Sequence, residues 1–180
     1  MDFFEKKISS KTVYNGKVLT FQVDDVELEN GKRAIREVVR HNGGVSVLAV
    51  DEAGDVLLVR QYRYPYAENL LEIPAGKLEK GEDPKACGIR ELREETGYEA
   101  GKFEFLAEAY PAPGYTDERL YIFTARNLIF KGQKLDADEF LSVVKVPFEK
   151  AVEMCLGGEI KDAKSVIAIL MYSQKRQGLS

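Results

Sequence analysis

The stretch GKLEKGEDPKACGIRELREETGY, which runs from Gly76 to Tyr98, decides how the rest of the chain is interpreted. Three of its glutamates, Glu91, Glu94 and Glu95, are spaced i, i+3 and i+4, so on an α-helix they share one face. Like charges at that spacing repel each other unless a cation lies among them. Because Mg2+ prefers carboxylate oxygens and keeps water ligands that a phosphate can replace, the stretch predicts a helix that presents a metal site.

The residues around these glutamates predict both ends of the helix. Asp83 suits the N-cap, Pro84 the first helical position, and Gly97 the position after the last turn. The apolar stripe that we expect to face the core consists of Ala86, Ile89 and Leu92. Just upstream, the run Ile73–Gly76 is typical of a strand that enters a loop, so backbone groups of that loop can add to the same site.

The same stretch resembles the Nudix box, the sequence signature of the Nudix hydrolases. Gly76 is followed after five residues by Glu82, and after seven more by the run Arg90–Tyr98, so all seven fixed residues of the box are present. Tyr98 is the one departure, since an aliphatic residue is more usual there. The resemblance implies an α/β fold of the Nudix type, an α/β/α sandwich with a mixed sheet, and it extends over nearly the whole chain.

The resemblance also implies roles for the residues of the box. Nudix hydrolases bind Mg2+, with Mn2+ as an alternative ion, and the matching ligands here are Glu91, Glu95 and the carbonyl of Ala75. Glu94 shares the helix face, where we expect it to hold a water ligand or a second ion. Arg90 is the cation fixed within the box, and we expect it to pair with a box glutamate and orient it. We count Glu94 and Arg90 as catalytic residues.

A carboxylate outside the box is expected to take the proton from the attacking water. The acidic loop after Gly132 offers Asp136, Asp138 and Glu139. The resembling family carries, at the place of Glu139, a glutamate that closes over the site and orients water. We therefore predict Glu139 as the general base, and Asp136 and Asp138 stay open as alternatives because their chemistry is the same.

Substrate-binding residues are implied on both sides of the box. An arginine at the end of a strand can fork onto phosphate oxygens. The loop from residue 110 to 118 resembles the Pro-Gly-x-x-x-Glu signature of ADP-ribose pyrophosphatases. The residues that match the family at these places are Arg36, Arg63, Glu72, Pro113, Gly114 and Glu118.

Composition and charge argue against several other classes of protein. The chain has 180 residues, 44% of them hydrophobic, and a net charge of −4, which argues against non-specific nucleic-acid binding. Two cysteines are too few for a disulfide framework and fit a reducing compartment. The first residues are charged, and no apolar run is long enough for a membrane span. We therefore predict a cytoplasmic protein without a membrane partner.

The chain is predicted to divide into an N-terminal β-hairpin, residues 1–42, and a hydrolase domain, residues 43–180. Alternating segments flank Asn30-Gly31, a strong signal for a hairpin turn. In the ADP-ribose-type Nudix hydrolases that the chain resembles, the N-terminal strands help to build a homodimer. A homodimer is therefore implied here.

A last helix is predicted from Ala163 to Arg176, capped by Asp162. Its expected core stripe consists of Val166, Ile167, Leu170 and Met171. This stripe is interpreted as packing and not as a cofactor site.

Taken together, these features predict Mg2+-dependent hydrolysis of ADP-ribose to AMP and ribose 5-phosphate. The substrate could instead be another nucleotide sugar, such as a GDP-hexose, or a dinucleotide, because the sequence does not define the shape of the substrate pocket. A non-catalytic sensor that binds ADP-ribose is the alternative from another class, although such modules tend to lose box glutamates that this chain keeps. The N-terminal hairpin and the Pro113 loop argue against an enzyme that sanitises nucleoside triphosphates.

Overall fold

The computed structural model describes residues 3–135 and 139–178. Within these ranges the chain forms two compact units, one of residues 3–43 with 110–119 and one of residues 44–109 with 120–178. Each unit is built around a sheet of its own. None of the helices in the described ranges combines the length and the apolar character that a membrane crossing requires.

The first unit contains a three-stranded antiparallel sheet. Its strands are β1 (Lys6–Asn15), β2 (Thr20–Glu27) and β3 (Arg33–Arg40), paired in that order. Gly31 in the turn between β2 and β3 has a φ of 77°, which glycine adopts without strain. The predicted hairpin is present, and β1 adds a strand that the sequence marks poorly because it is exposed along its whole length.

The segment Tyr110–Arg119 belongs to the first unit because it is bonded to β3. The Val39 amide donates a hydrogen bond to the Tyr115 carbonyl at 2.8 Å, and the Asp117 amide donates to the Val39 carbonyl at 3.2 Å. Arg40 forms an ion pair of 3.0 Å with Asp117. The loop that contains the predicted Pro-Gly signature is therefore tied to the N-terminal sheet.

The second unit contains a mixed sheet of seven strands. They are β4 (Gly44–Val50), β5 (Asp55–Arg63), β6 (Glu68–Glu72), β7 (Ala75–Lys77), β8 (Tyr98–Ala109), β9 (Leu120–Phe130) and β10 (Leu141–Pro147). The central path is β10-β5-β4-β9-β8, while β6 pairs with β5 and β7 pairs with β4. Strands β4 and β9 run parallel and the other pairs antiparallel, which confirms the predicted mixed sheet.

Helices cover both faces of this sheet. They are α1 (Pro84–Thr96), α2 (Phe148–Leu156) and α3 (Ala163–Arg176). Val47 and Ala49 of β4 pack in a core cluster with Leu92 of α1. Leu48 and Val50, which point to the opposite face, pack with residues of α2 and α3. The predicted α/β/α sandwich is confirmed.

The buried face of α3 differs from its predicted apolar stripe. The buried residues are Lys164, Ser165, Ala168, Ile169 and Ser173. Of the predicted stripe, Val166, Ile167 and Leu170 are partly buried and Met171 is exposed. Val166 and Ile167 pack against the core cluster as predicted, whereas the prediction was wrong for Met171. It also missed Lys164 and Ser165, which are buried because they have hydrogen-bonding partners inside the unit.

Candidate metal centre

Helix α1 begins and ends where its local sequence predicts. The Asp83 carboxylate accepts a hydrogen bond from the Ala86 amide at 2.9 Å, which satisfies one of the free amides of the first turn. Gly97 ends the helix with a φ of 79°, and its amide donates to the Arg93 carbonyl at 2.8 Å. These caps fix the positions of the box glutamates along the helix.

The acidic face of α1 is turned inwards, contrary to the predicted apolar stripe. Glu91 and Glu95 are only 8% and 3% exposed, whereas Ala86 and Ile89 of the predicted stripe are exposed. Leu92 is the member of that stripe that lies in the core. Buried carboxylates are unfavourable unless charge or hydrogen bonds compensate them. The burial of this face therefore points to a site and not to a solvated surface helix.

Gly88 lets α1 approach the sheet closely. A Cβ atom at this position would lie 2.9 Å from Cζ of Phe103 and 3.0 Å from Cγ2 of Val45. Both distances are tighter than an ordinary van der Waals contact, so glycine is the residue that fits here without a shift of its neighbours. The close approach brings the acidic face of the helix against β4 and β7.

Arg90 holds three carboxylates of the box. Its Nη1 donates to Oε1 of Glu91 at 2.8 Å and to Oε2 of Glu94 at 3.0 Å. Its Nη2 donates to Oε1 of Glu82 at 3.2 Å. The predicted pairing of Arg90 with a box glutamate is present, and its planar guanidinium fixes the directions of these side chains.

Glu95 is bonded to the first residue of β7, the strand that precedes the helix. The Ala75 amide donates to Oε2 of Glu95 at 2.9 Å. Burial raises the pKa of the Glu95 carboxyl to about 8, against the lowering effect of the Ala75 hydrogen bond, and the charges of Glu91 and Glu139 raise it further. Burial also raises the pKa of Glu91, despite the opposing charge of Arg90. Without a bound cation the site therefore favours the protonated form of Glu95, and a cation beside it would stabilise the ionised form.

Gly76 provides the space that the Glu91 carboxylate occupies. A Cβ atom at this position would overlap Cδ and Oε1 of Glu91. Since Gly76 lies in β7 directly after Ala75, the strand and the carboxylate are in close contact. This contact explains why the first residue of the box is a glycine.

The segment after β9 runs beside the end of α1 and leads to Glu139. The Gln133 side-chain amide donates to the Glu95 carbonyl at 2.6 Å, and the Lys134 amide donates to the Glu94 carbonyl at 3.1 Å. The charge of Glu139 raises the pKa of both Glu91 and Glu95, so its carboxylate lies within electrostatic reach of them. The alternatives Asp136 and Asp138 lie outside the described residues.

The donor set fits a hard divalent cation. Carboxylate and carbonyl oxygens are the preferred ligands of such ions, and a bound cation would stabilise the ionised forms of Glu91 and Glu95 that burial disfavours. In the described ranges, no three histidine, cysteine or acidic side chains already stand together as a metal cluster. The predicted ligand set contains only two acidic side chains, Glu91 and Glu95, and takes its third ligand from the backbone carbonyl of Ala75. Glu95 is bonded to the Ala75 amide, and Glu91 lies against Gly76 with one of its oxygens occupied by Arg90, while the metal-ligand role of these groups stays a prediction.

Arg63 and Glu72, both predicted to bind substrate, are engaged with each other. Nε and Nη2 of Arg63 donate to the two carboxylate oxygens of Glu72 at 2.6 and 2.7 Å. Lys164 of α3 also donates to Glu72, which is 1% exposed. Burial raises the pKa of Glu72, but Arg63 and Lys164 outweigh it and hold the pKa below its usual value. Glu72 is therefore an ionised, fully paired carboxylate.

The sequence analysis missed Lys164 and Ser165. Their partners Glu72 and Ile73 lie 92 residues earlier in the chain, so no local pattern links them. The one local signal was Asp162, correctly predicted as the N-cap, whose carboxylate accepts from the Ser165 amide at 3.1 Å.

The other predicted substrate residues belong to the first unit. They are Arg36, Pro113, Gly114 and Glu118. Nε of Arg36 donates to Glu5 at 2.9 Å, and Oε1 of Glu118 lies 3.5 Å from Nδ1 of His41. Gly114 has open space around the position of a Cβ atom.

Two family models match the chain, and together they cover most of it. The model described as NUDIX domain matches residues 40–168. The model described as nucleoside diphosphate sugar hydrolase N-terminal domain matches residues 5–39. The match of the second model agrees with the separate sheet of the first unit.

Individual relatives match nearly the full length. An ADP-ribose pyrophosphatase of Bacillus subtilis (strain 168) is 44% identical over 177 residues, 97% of this chain and 95% of that protein. A methanol dehydrogenase activator of Bacillus methanolicus is 42% identical over 179 residues, 98% and 96% of the two chains. A GDP-mannose pyrophosphatase of Yersinia pestis (strain Pestoides F) is 37% identical over 164 residues, 83% and 81%. A crystal structure of an ADP compounds hydrolase shares the fold with a TM-score of 0.84 at 25% identity, covering 98% and 97%.

Proposed function

Because this chain belongs to the Nudix hydrolase family, we propose that it hydrolyses the pyrophosphate bond of ADP-ribose to AMP and ribose 5-phosphate in a Mg2+-dependent reaction. The observation that carries the proposal is the buried pair Glu91 and Glu95, held beside Ala75 and Gly76 at the start of β7. The choice of ADP-ribose is supported by the 44% identity to the pyrophosphatase of that name.

The metal follows from the donor set. Nudix hydrolases generally use divalent metal ions, and we assign Mg2+, with Mn2+ as the alternative. Glu91, Glu95 and the carbonyl of Ala75 would hold it. When bound, such an ion offsets the negative charge of a pyrophosphate and makes its phosphorus more open to attack.

The chain's own residues divide the remaining work. Arg90 keeps Glu91 and Glu94 in fixed directions through hydrogen bonds of 2.8 and 3.0 Å. Glu139 takes a proton from water as the water oxygen forms its bond to phosphorus. The bond between that phosphorus and the bridging oxygen breaks, which leaves one phosphate on each product.

Two sets of residues are assigned to substrate binding. In the second unit, Arg63 presents a guanidinium that is part exposed and oriented by Glu72, so its free edge is available to phosphate or ribose oxygens. In the first unit, we assign this role to Arg36 and to the loop of Pro113, Gly114 and Glu118. The hydrolase domain then comprises residues 43–180, with residues 1–42 as its N-terminal extension.

Another sugar nucleotide is the alternative within the same chemistry. The relative named GDP-mannose pyrophosphatase is 37% identical over 83% of this chain. The metal centre acts on the pyrophosphate that both substrates share, so the choice between them rests on the pocket for the base and the sugar.

A second function is favoured by a different observation, the 42% identity to a methanol dehydrogenase activator. In that role the chain would raise the turnover of an alcohol dehydrogenase. Purified methanol dehydrogenase, assayed with and without this protein, tests it directly. Glu95→Gln is the informative variant, since retained activation would separate the activator role from hydrolysis.

We also propose a cytoplasmic homodimer. Strand β1 is exposed along its length, and Val13, Tyr14 and Ile35 of the N-terminal sheet are exposed apolar side chains that a second copy could cover. Both cysteines are free thiols, as a reducing compartment favours. Light scattering coupled to size-exclusion chromatography gives the mass of the protein in solution, and the mass of a monomer would contradict the dimer.

The deciding experiment is a substrate panel with purified protein and Mg2+. The panel contains ADP-ribose, GDP-mannose, NADH, a diadenosine polyphosphate and dGTP. Intact ADP-ribose has no terminal phosphate, whereas both of its products do, so phosphate released by added alkaline phosphatase reports its cleavage. Alkaline phosphatase also attacks intact dGTP, so the rates across the panel are compared by chromatography of the products without phosphatase. We expect ADP-ribose to be cleaved fastest, with activity abolished by EDTA and by Glu95→Gln but kept by Glu153→Gln, which alters an exposed glutamate of α2.

Each other outcome has a distinct meaning. Preferred cleavage of GDP-mannose would keep the metal centre and overturn the choice of substrate. Binding of ADP-ribose without turnover of any member would support the sensor alternative instead.

A further inference from the structure

Two consecutive residues at the start of α3 are bonded to Glu72, the last residue of β6, and to Ile73, which follows it. Nζ of Lys164 donates to Oε2 of Glu72, and the amide of Ile73 donates to Oγ of Ser165 at 2.8 Å. All four residues are buried, and Ile73 and Ser165 are fully so. Buried hydrogen bonds of this kind hold their partners in one arrangement, because no water can replace them.

Asp162 fixes the direction of both contacts. Its Oδ1 accepts from Nζ of Lys164 at 2.8 Å, and its Oδ2 accepts from the hydroxyl of Ser165. Since the Ser165 hydroxyl donates its hydrogen bond to Asp162, the hydroxyl oxygen can accept one from the Ile73 amide. The first turn of α3 is thus a preorganised donor and acceptor pair.

The segment that follows Glu72 is held by three hydrogen bonds on its way to the metal centre. The Ile73 amide is bonded to α3, and the Pro74 carbonyl accepts from the Val47 amide of β4 at 2.8 Å. The Ala75 amide donates to Glu95 of α1 at 2.9 Å. Three separate elements therefore set the position of this short run, and α3 holds its first residue.

We propose that Ser165 and Lys164 are positioning residues for the metal centre, which they serve by fixing the run Ile73–Ala75 that supplies the Ala75 carbonyl and orients Glu95. The inference rests on the proposed function, because it takes Ala75 and Glu95 as metal ligands. Mg2+ demands near-ideal octahedral ligand geometry, and residues that orient the ligands of a metal ion affect its affinity, so a loosened run weakens binding even though every ligand is still present.

The test compares paired substitutions within one helix. Ser165→Ala removes the acceptor for Ile73, and Ser173→Ala makes the same change at another buried serine of α3. Lys164→Gln removes the buried cation, and Lys175→Gln removes an exposed one. Direct Mn2+ binding is measured by electron paramagnetic resonance on the whole protein, and kcat and the apparent metal constant are measured with ADP-ribose.

Both test variants should bind Mn2+ about tenfold or more weakly, with kcat largely restored at saturating metal, while the controls bind like the wild type. For Lys164→Gln the direction of the change in Mn2+ affinity is diagnostic, because loss of a nearby positive charge would by itself strengthen cation binding. Tighter or unchanged binding by Lys164→Gln therefore overturns its role. If Ser165→Ala does not fold, Lys164→Gln decides the proposal alone.

Failure of this inference is distinguishable from failure of the proposed function. A wild-type protein that binds no Mn2+ and cleaves no substrate overturns both. A wild type that binds and cleaves, together with variants that melt at lower temperature but keep its Mn2+ affinity, overturns only the positioning role.

Discussion

The amide of Ala75 and the carboxylate of Glu95 are joined by a hydrogen bond of 2.9 Å that ties the first residue of β7 to the last turn of α1. The strand and the helix are thus held together where we place the metal ligands. The bond also explains how a carboxylate can be 3% exposed, since one of its oxygens has a fixed donor.

Glu95→Gln should abolish metal binding while keeping the hydrogen bond to Ala75. The amide oxygen still accepts from the Ala75 amide, but the charge that attracts the cation is gone. We expect activity to fall by at least about a hundredfold. Added Mg2+ should raise the melting temperature of the wild type and leave that of the variant unchanged. An equal Mg2+ shift in both proteins would contradict the assignment.

The same variant should be more stable than the wild type when metal is removed. Burial raises the pKa of Glu95 to about 8, from about 4.3 in an unfolded chain. Ionising it therefore opposes folding, so the metal-free wild type loses stability as the pH rises from about 4 to 8. With EDTA present, the variant should melt above the wild type at pH 8.5, and the difference should shrink towards pH 5. A constant difference would contradict the raised pKa.

Gly76→Ala should damage the same site by a steric route. The added methyl group overlaps the Glu91 carboxylate and displaces it. We expect Mg2+ affinity, measured by calorimetry, to fall about tenfold or more. Lys77→Ala, at an exposed neighbour in the same strand, is the control and should bind like the wild type. Normal affinity in Gly76→Ala would show that Glu91 is not held in this position for the metal.

Local patterns predicted the ends of α1 but not the face that it buries. The caps Asp83 and Gly97 act within a few residues, so their effect is readable from the sequence. The buried face depends on Gly88, whose contacts with Val45 and Phe103 come from distant strands. The apolar side chain of Ile89 suggested a core position, yet the carboxylates of the box took the inner face instead.

Sequence patterns also fail to predict the burial of polar residues whose partners lie far along the chain. Lys164 and Ser165 look like solvated residues of a first helical turn, which is the usual meaning of that pattern. Their burial is possible because Glu72 and Ile73 supply a charge and a donor from 92 residues away. Such pairing is a property of the fold, and no spacing rule reveals it.

Glu139→Gln should lower turnover without changing metal affinity. A glutamine side chain cannot take the proton from water, so kcat should fall by about a hundredfold or more. The metal ligands are untouched, so the apparent Mg2+ constant should stay within about twofold of the wild type. Glu153→Gln, which changes an exposed glutamate, is the matched control. Full turnover in Glu139→Gln would transfer the role to Asp136 or Asp138, to be tested by Asp→Asn changes.

The two thiols should be unreactive in the native protein. Burial raises the pKa of Cys87 from 9.0 to about 12 and that of Cys155 to about 11. At a pH below 9, Cys87 therefore forms about a thousandfold less thiolate than an ordinary cysteine, and Cys155 about a hundredfold less. The thiolate is the reactive form. Ellman's reagent at pH 8 should label both thiols in urea and neither on the same timescale in buffer. Rapid labelling of native Cys155→Ser would contradict the burial of Cys87.

Arg63→Ala should destabilise the second unit through Glu72. The guanidinium forks onto both oxygens of a carboxylate that is 1% exposed, so its removal leaves that charge with less compensation. Because the Arg63 side chain is itself 39% exposed, we expect a loss of about 1–3 kcal/mol in the free energy of unfolding, below the range for fully buried pairs. Urea unfolding at pH 7 measures it, with Arg60→Ala on the exposed side of the same strand as control.

The pH dependence of this loss separates the ion pair from simple packing. The pKa of Glu72 is held low because Arg63 and Lys164 outweigh burial, so the pair stabilises the fold above the unfolded pKa of about 4.3. That stability disappears as the pH falls through the lowered pKa, so the difference between wild type and Arg63→Ala should be full at pH 7 and should close below about pH 4. A difference that persists in acid would mean that Arg63 stabilises through its methylene groups. Kinetics at pH 7 test the substrate role of the same side chain. If KM rises in Arg63→Ala, and if Arg63→Lys restores stability but not KM, the guanidinium also contacts the substrate.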